Sequence, residues 1–499
     1  MAHNPDAVRR ATARLAWGIA LAAVFFIAAR PSVAPDTWWH LRTGRWIWEQ
    51  GAWPKVDLFS YTRYGQPWSP PGPPVQWLMY GLYRLGGLAA LDLWTALMVT
   101  AALAWVWPVT RESARAAPLV QALAVVWAGA TAAVYWAARP HLVTFLFTAV
   151  FLWVLETVRQ GRAGPRRLVG LVPLMVVWAN AHGGFVTGVL LWAAYAAPAL
   201  LRAAWHAGGA GLRAAARRWL PVGAGLVVAV LLNPTGPARW LYPFRTVGIR
   251  VLQQYIAEWQ PPAVSEPRLW PFVAWWFGLV LVLAVSRRGL PGEHLLLWLG
   301  LGALAWSAVR HVALFALAAA VVWGPVAADA WVRIRAAWRR RFPAAARRPA
   351  RAHPRLNALL VALLFAAGAA RLARPYVQGT MAARLAATYP VQALAFVQRT
   401  RPQARLFNQY GWGGYILWQW PEQRVFVDGR TDLYGDALLT QYLTVWRAEP
   451  GWQQVLDTWA VDVVLVAPEA RIVSVLPRFG WVEVYRDGHA VVLVRSQPR

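Results

Sequence analysis

The sequence predicts an α-helical polytopic membrane protein, with about eleven spans and a C-terminal extracytoplasmic α/β domain. Three observations predict it. Of 499 residues, 58% are hydrophobic and only 14% charged, against roughly 25% charged in an ordinary soluble domain. Apolar runs of near-spanning length recur from residue 15 to residue 372, and a straight span needs about 20 residues. Beyond Leu372 the chain changes to mixed charge and short alternating segments.

The apolar runs lie near 15–29, 87–108, 117–137, 142–158, 168–180, 185–201, 219–233, 269–286, 294–309, 312–331 and 356–372. The shorter ones must tilt, thin the bilayer or re-enter. Arginine placement orients them. Basic segments carry Arg9, Arg10 and Arg14, then Arg111 and Arg115, Arg159 to Arg167, Arg202 to Arg218, Arg287 and Arg288, and the dense run from Arg333 to Arg355. The short connections between them hold far fewer: Arg139 alone, no Arg from Asn180 to Gly184, and Arg310 alone. This alternation puts the N-terminus in the cytoplasm, the protein in the cytoplasmic (inner) membrane and the tail outside. Arg9, Arg10 and Arg14 before an apolar run resemble a signal peptide, yet no small-residue cleavage site precedes Pro31, so the first span is read as uncleaved.

The net charge of +29 would suit nucleic acid. The arginines sit instead between apolar runs as topology signals, so membrane lipids are expected as partners and nucleic acid is not. There is no cysteine, which excludes disulfides and thiolate chemistry. Residues 1–372 form the transmembrane domain, with the first outer loop at 30–86, and residues 373–499 form the tail domain. In the tail, 404–408, 424–428, 461–466 and two segments near the end read as strands. GWGGYILWQ, DALLTQYLTVW and GWQQVLDTWA read as helices. Strand–helix alternation predicts some parallel pairing. The glycines of Tyr410–Gly414 lack the GxGxxG spacing of a dinucleotide site.

The first outer loop, from Pro35 to Leu78, carries Asp36, His40 and Asp57 among Trp and Tyr. An acid at a membrane boundary is costly unless paired or functional. Arg139 and His141, Asn180 and His182, Asn233, and Arg310 and His311 fall on the same predicted face. Together they predict one outward-opening cavity lined from several spans. Each has a plainer reading. Single histidines serve as hydrogen-bonded interface residues, Arg139 and Arg310 suit lipid anchoring, Asn180–Gly184 suits a tight turn, and Asp57 suits a turn cap after Pro54. Asp36 has no basic partner at i+4, and anchoring is a poor use for an acid. Most Trp residues are interfacial belt and packing. No HExxH or P-loop pattern appears and the histidines lie on different elements, so no metal or other cofactor is expected. A divalent ion held by Asp36 and Asp57 stays open as an alternative, without support from spacing.

The loop motifs resemble those of the C-type (GT-C) membrane glycosyltransferases, including the protein O-mannosyltransferases and the aminoarabinose transferase of lipid A. Asp36 takes the place of the acid after the first span. Gly51–Trp53 and Gly65–Trp68 take the two turns, Pro73–Leu78 the KPP segment, and Tyr83–Gly87 leads into the next span. The pattern is closer still to a bacterial group with DxWWHLxxG (Asp36–Gly44), PxxDxFSYT (Pro54–Thr62), RPH (Arg139–His141), NxHGGF (Asn180–Phe185) and GGYLxW…FVDGR (Gly413–Arg430). Two positions depart from the broader family: the KPP lysine is Gly72, and the usual acid pair is Asp36–Thr37.

The resemblance implies transfer, with inversion, from a polyprenyl-phosphate-linked sugar donor to a glycan, lipid or protein acceptor at the outer face. On that reading Asp36, Asp57 and His40 are the candidate catalytic residues. Arg139, Arg310, Arg42 and Arg45 are candidates for the donor phosphate. Trp39, His141, Asn180, His182 and His311 would line the sugar and acceptor pocket. A lipid-intermediate transporter or flippase would share an outer cavity, but no internal repeat is visible and the polar residues cluster at one end. A non-catalytic assembly protein would use the tail, where VFVDGRTDLYG (425–435) is either a partner patch or a strand-turn holding the domain against the first loop.

Overall fold

Every predicted run falls on a helix in the computed structural model, which describes residues 5–110, 116–342 and 353–496. Arg111, Arg115 and positions 343–352 of the basic run lie outside the described residues. The helices are α1 (Pro5–Ala28), α2 (Pro35–Gln50), α3 (Pro73–Ala104), α4 (Pro118–Ala132), α5 (His141–Arg159), α6 (Leu171–Ala181), α7 (Val186–His206), α8 (Gly208–Leu231), α9 (Ala238–Val247), α10 (Arg250–Tyr255), α11 (Trp270–Val285), α12 (Gly292–Ser307), α13 (Val312–Arg341) and α14 (Pro354–Val377). Among the described residues, nine helical segments are long and apolar enough to cross a membrane. This is a multi-pass membrane protein. Nine lies within the expected count of about eleven, and the two further runs fall on helices too short to be counted by length. Helix α6 has 11 residues and α12 has 16, short because a turn follows at Asn180–Gly184 and extended backbone at Ala308.

The first loop is more ordered than a connector. Pro35 and Asp36 open α2, and Gly51 closes it in the left-handed region at φ 62°, which glycine enters without a Cβ penalty. Helix α3 starts well before the predicted span at 87. Gly86 and Gly87, the latter at φ 59°, break it into a leg over 73–85 and the span proper. The leg exposes Trp77, Leu78 and Leu85, as a helix at a membrane interface does. In the bundle, α13 is the most enclosed helix. Nearly every side chain from Val312 to Ala330 is buried, and most are Ala, Val or Gly, whose small size lets neighbouring helices approach.

The tail follows through α15 (Thr380–Ala386) and α16 (Val391–Thr400) to a sheet of β1 (Leu406–Asn408), β2 (Val463–Val466), β3 (Trp481–Arg486) and β4 (Val491–Arg495), in the order β1-β2-β4-β3. β1 and β2 pair in parallel, and β4 runs antiparallel to β2 and β3. Helices α17 (Gly413–Gln419), α18 (Thr431–Trp446) and α19 (Trp452–Thr458) occupy the predicted helical stretches. Segment 424–428 is extended but is no ladder strand. Asn408 takes its hydrogen bonds instead, donating from Nδ2 to the Val427 carbonyl at 2.8 Å and accepting from the Phe426 amide at 2.9 Å. Only Val425 pairs, in isolated parallel bridges to Leu406 and Ser60.

That second bridge joins the tail to the first loop. The Tyr61 amide donates to the Val425 carbonyl, and the Val425 amide to the Phe59 carbonyl. Thr62 Oγ1 donates to the Phe426 carbonyl at 2.7 Å, and Arg63 Nη2 to the Tyr434 carbonyl at 2.8 Å. Arg430 completes the joint. Its Nη1 donates to Asp57 Oδ1 at 2.5 Å, while Nε and Nη2 fork onto Asp428. All three side chains are fully buried. Removing one partner from such a group typically costs about 3–5 kcal/mol, because a charge is left unpaired. Arg430→Met should therefore lower the thermal midpoint of the purified protein sharply and expose the tail to protease. A midpoint within about a degree of wild type would contradict this role.

Candidate functional site

Helix α2 begins at the end of the bundle where the tail docks, so Asp36 in its first turn faces both. Trp39, one turn on, donates from Nε1 to Asp36 Oδ1 at 3.1 Å. Arg139, in the α4–α5 connection, donates from Nη1 to Asp36 Oδ2 at 2.7 Å and from Nη2 to Glu258 Oε2 at 2.9 Å. Arg310 lies 4.0 Å from the other Glu258 oxygen, donates to the Tyr135 hydroxyl at 3.2 Å and covers the Trp259 ring at 3.9 Å. The four charged side chains keep 26% (Asp36), 13% (Arg139), 27% (Glu258) and 20% (Arg310) of their surface exposed, so a ligand can reach them. A Cβ at Gly429 would collide with Asp36 Oδ1. Glycine at that position lets the tail backbone wall the cleft.

Electrostatics separates the two acids. Burial pushes the Asp36 carboxyl above its ordinary range, with Arg139 opposing and Glu258 adding to the rise. Burial also works to raise Glu258, but Arg139 and Arg310 overcome it and hold that carboxyl at about 2. Asp432, at the start of α18, is pushed up to about 6 by burial, against the Trp68 indole that donates to it at 3.3 Å and against Arg430.

His182 lies beside these groups. Burial and the nearby Arg310 and Arg239 hold its pKa at about 3, so it is neutral. Its Nδ1 accepts from the Gly184 amide, which leaves Nε2 carrying the proton. His141 is one layer back, donating from Nε2 to the Tyr135 carbonyl at 2.8 Å. His40 is buried against the Trp39 ring and bonded through Nδ1 to Gln76 at 2.9 Å.

The remaining expected site residues are engaged elsewhere. Asp57 accepts from the Phe59 and Ser60 amides, the Ser60 hydroxyl and Arg430. It is a joint between loop and tail, combining the turn-cap reading with an ion pair. Arg45 is exposed and paired with Glu49 at i+4, and Arg42 donates to the Pro421 carbonyl at 3.3 Å. Asn180 ties α6 to the end of α8 through the Leu232 carbonyl, and His311 caps Leu304. The strand-turn reading of 425–435 also describes what the segment does here.

Two departures from the motif have a physical reason. A Cβ at Gly72 would overlap the Ala181 carbonyl, so no lysine fits. Arg239 lies nearby, donating to the Ala179 and Pro71 carbonyls at 2.8 and 2.6 Å. Thr37 uses its hydroxyl to hold the Ala138 carbonyl, next to Arg139, at 3.0 Å.

Sequence reasoning missed Glu258, Arg239 and Asp432. For Glu258 a signal was present: an acid beside Trp and Pro in an outer segment, as at Asp36. Polar clustering is also less one-sided than expected. At the far end of α5, Glu156 binds Arg159, His294 and the Tyr195 hydroxyl, and Glu293 binds Arg202. Among the described residues, no group of three or more His, Asp or Glu is placed to hold a metal ion. Asp36 and Asp57 each face a different arginine.

The Asp432 carboxyl sits above its unfolded value of about 3.9, so ionising it disfavours the fold. Stability is lost as pH rises from about 4 to about 6 and stays lost above that. The gap is worth at most about 3 kcal/mol at 1.36 kcal/mol per pH unit. Asp432→Asn should raise the thermal midpoint at pH 7.5 and leave it unchanged near pH 4. An equal shift at both pH values would contradict the burial account.

No family model matches the chain, and no curated protein matches it. Solved structures do. The archaeal oligosaccharyltransferase AglB from Archaeoglobus fulgidus, in complex with an inhibitory peptide and a dolichol-phosphate, matches with a TM-score of 0.56 at 14% identity, over 96% of this chain and 74% of that one. The same oligosaccharyltransferase tethered to an acceptor peptide gives 0.55 at 14% identity, over the same shares. ArnT from Cupriavidus metallidurans bound to undecaprenyl phosphate gives 0.47 at 15% identity, over 99% of each chain, a score too low to carry weight. The oligosaccharyltransferase likeness extends over nearly the whole chain, bundle and tail together, and this chain shares the fold of that protein.

Proposed function

We propose that this chain is a membrane glycosyltransferase that moves a sugar from a polyprenyl-phosphate donor to an acceptor hydroxyl on the outer face of the cytoplasmic membrane. The observation that carries the reading is the convergence of Asp36, Arg139, Glu258 and Arg310 in one accessible cleft at the tail end of a GT-C bundle. The AglB structure that shares this fold is in complex with an inhibitory peptide and a dolichol-phosphate, which supports a polyprenyl-type lipid as the donor carrier.

Asp36 is the general base. The acceptor oxygen attacks the anomeric carbon, its proton passes to Asp36, and the bond from that carbon to the phosphate oxygen breaks. Arg139 holds Asp36 ionised despite burial, and Glu258 keeps Arg139 in place. Arg310 is more loosely held, 4.0 Å from its carboxylate, and takes the donor phosphate and the charge left on it. His182 offers Nε2–H to a sugar hydroxyl. The rate should fall as pH drops through the raised Asp36 pKa, because the base is then protonated.

Loss of a positioned base typically costs about 10²–10⁴-fold in rate. Asp36→Asn should lose that much transfer in an assay with radiolabelled polyprenyl-phosphate sugars while still binding donor. Arg310→Ala should instead weaken donor binding by about 1.5–3 kcal/mol, as for hydrogen bonds to charged groups. Near wild-type turnover in Asp36→Asn would remove it as the base.

Orientation completes the proposal: the first loop and tail face out, and the start of α1 faces the cytoplasm, from the arginine asymmetry. With no native cysteine, a Ser474→Cys variant should react with an impermeant maleimide in intact cells once the outer barrier is opened. Labelling only after rupture of the cytoplasmic membrane would reverse the orientation.

A further inference from the structure

A large cavity lies far from the cleft, where α1 and α14 begin. Helix α1 spans 24 residues, so its start is about 36 Å from its end. The two helices run side by side and touch closely at two glycines: Gly18 against Val361, and Gly368 against Phe25. Ahead of Gly18 they part around a groove of about 640 Å³. Arg10, Arg14 and Asn357 line its polar side, and Leu15, Val361 and Ala362 its apolar side. Neither guanidinium is paired among the described residues. Leu356, Leu359 and Leu363 of α14 are exposed alongside, which continues the apolar wall outward.

We propose that this groove binds one anionic phospholipid, with the phosphate at Arg10 and Arg14 and an acyl chain along Leu15, Val361 and Ala362. Charge selects the occupant. Residues 343–352, ahead of α14 in the sequence, carry Arg347, Arg348 and Arg351 and no acid, so the sequence leading to this groove is basic and favours an anionic occupant. A zwitterionic lipid gains less, because its headgroup brings a cation to two arginines. Basic residues at a membrane surface attract anionic lipid additively. The apolar lining beside the arginines suits an acyl chain that enters the bilayer there. Such a lipid would join the helix that leads to Asp36 with the helix that leads to the tail.

The test is native mass spectrometry of the full purified chain equilibrated with equal amounts of phosphatidylglycerol and phosphatidylcholine. Wild type should retain one phosphatidylglycerol in preference to phosphatidylcholine. The double variant Arg10→Gln, Arg14→Gln should bind it about tenfold or more weakly. Ala358→Trp fills the groove while leaving both arginines in place, and it should lose the lipid as well. Arg213→Gln with Arg217→Gln, exposed arginines on α8, should retain it as wild type does. Equal retention of both lipids, undiminished binding in the double or Trp variant, equal loss in the α8 control, or displacement of the lipid by polyprenyl phosphate would each overturn the proposal.

Discussion

Arg430 between Asp57 and Asp428 is the contact on which the arrangement at this end of the molecule depends. Moving ions out of water costs several kcal/mol each even after relaxation. The group is tolerated because nearly every polar atom in it is satisfied. Asp57 takes two amides, a hydroxyl and a guanidinium nitrogen. Asp428 takes the fork of Arg430 and the Tyr434 hydroxyl. Its three carriers come from positions 57, 428 and 430, so it forms only when the tail has docked on the first loop. Docking then presses Gly429 against Asp36 and sets Asp432 beside Trp68. The cleft is thus assembled from both ends of the chain.

A second arginine between two acids, Arg139, uses the same chemistry for a different purpose, and burial decides between them. Arg430 and Asp57 have no exposed side-chain surface. Asp36 and Glu258 keep about a quarter of theirs. The first group is sealed and can only hold structure. The second is open, with Arg310 a weak partner at its edge, and can exchange partners when a phosphate and a hydroxyl arrive. Partial exposure also lets water moderate the attraction between Arg139 and its acids, so Asp36 is restrained without being locked.

Much of this was legible in the sequence, for stated reasons. Apolar runs and arginine alternation gave the helices, because a bilayer imposes length and charge rules on every span. The tail strands followed from alternation, except 424–428, where a single asparagine side chain displaces the ladder. That Asp36, Arg139 and Arg310 share one end of the bundle was visible because each sits at the end of an apolar run on the same predicted face. What stayed hidden was pairing at long range. Nothing near Asp57 announces Arg430 across 373 positions, and nothing in the motif shows that Glu258 closes on Arg139. The buried Glu156, Arg159 and His294 group was hidden likewise, since each residue alone reads as a helix-end charge.

The central claim is that donor phosphate and attacking base meet in the Asp36 cleft. The most direct measurement is a cryo-electron microscopy map of the purified chain with bound polyprenyl phosphate. The account predicts the phosphate within hydrogen-bond reach, about 3 Å, of Arg310, with Asp36 and Arg139 beside it and the tail still docked through Arg430. A phosphate bound at the opposite end of the bundle, or at Arg42 and Arg45 with the cleft empty, would contradict it.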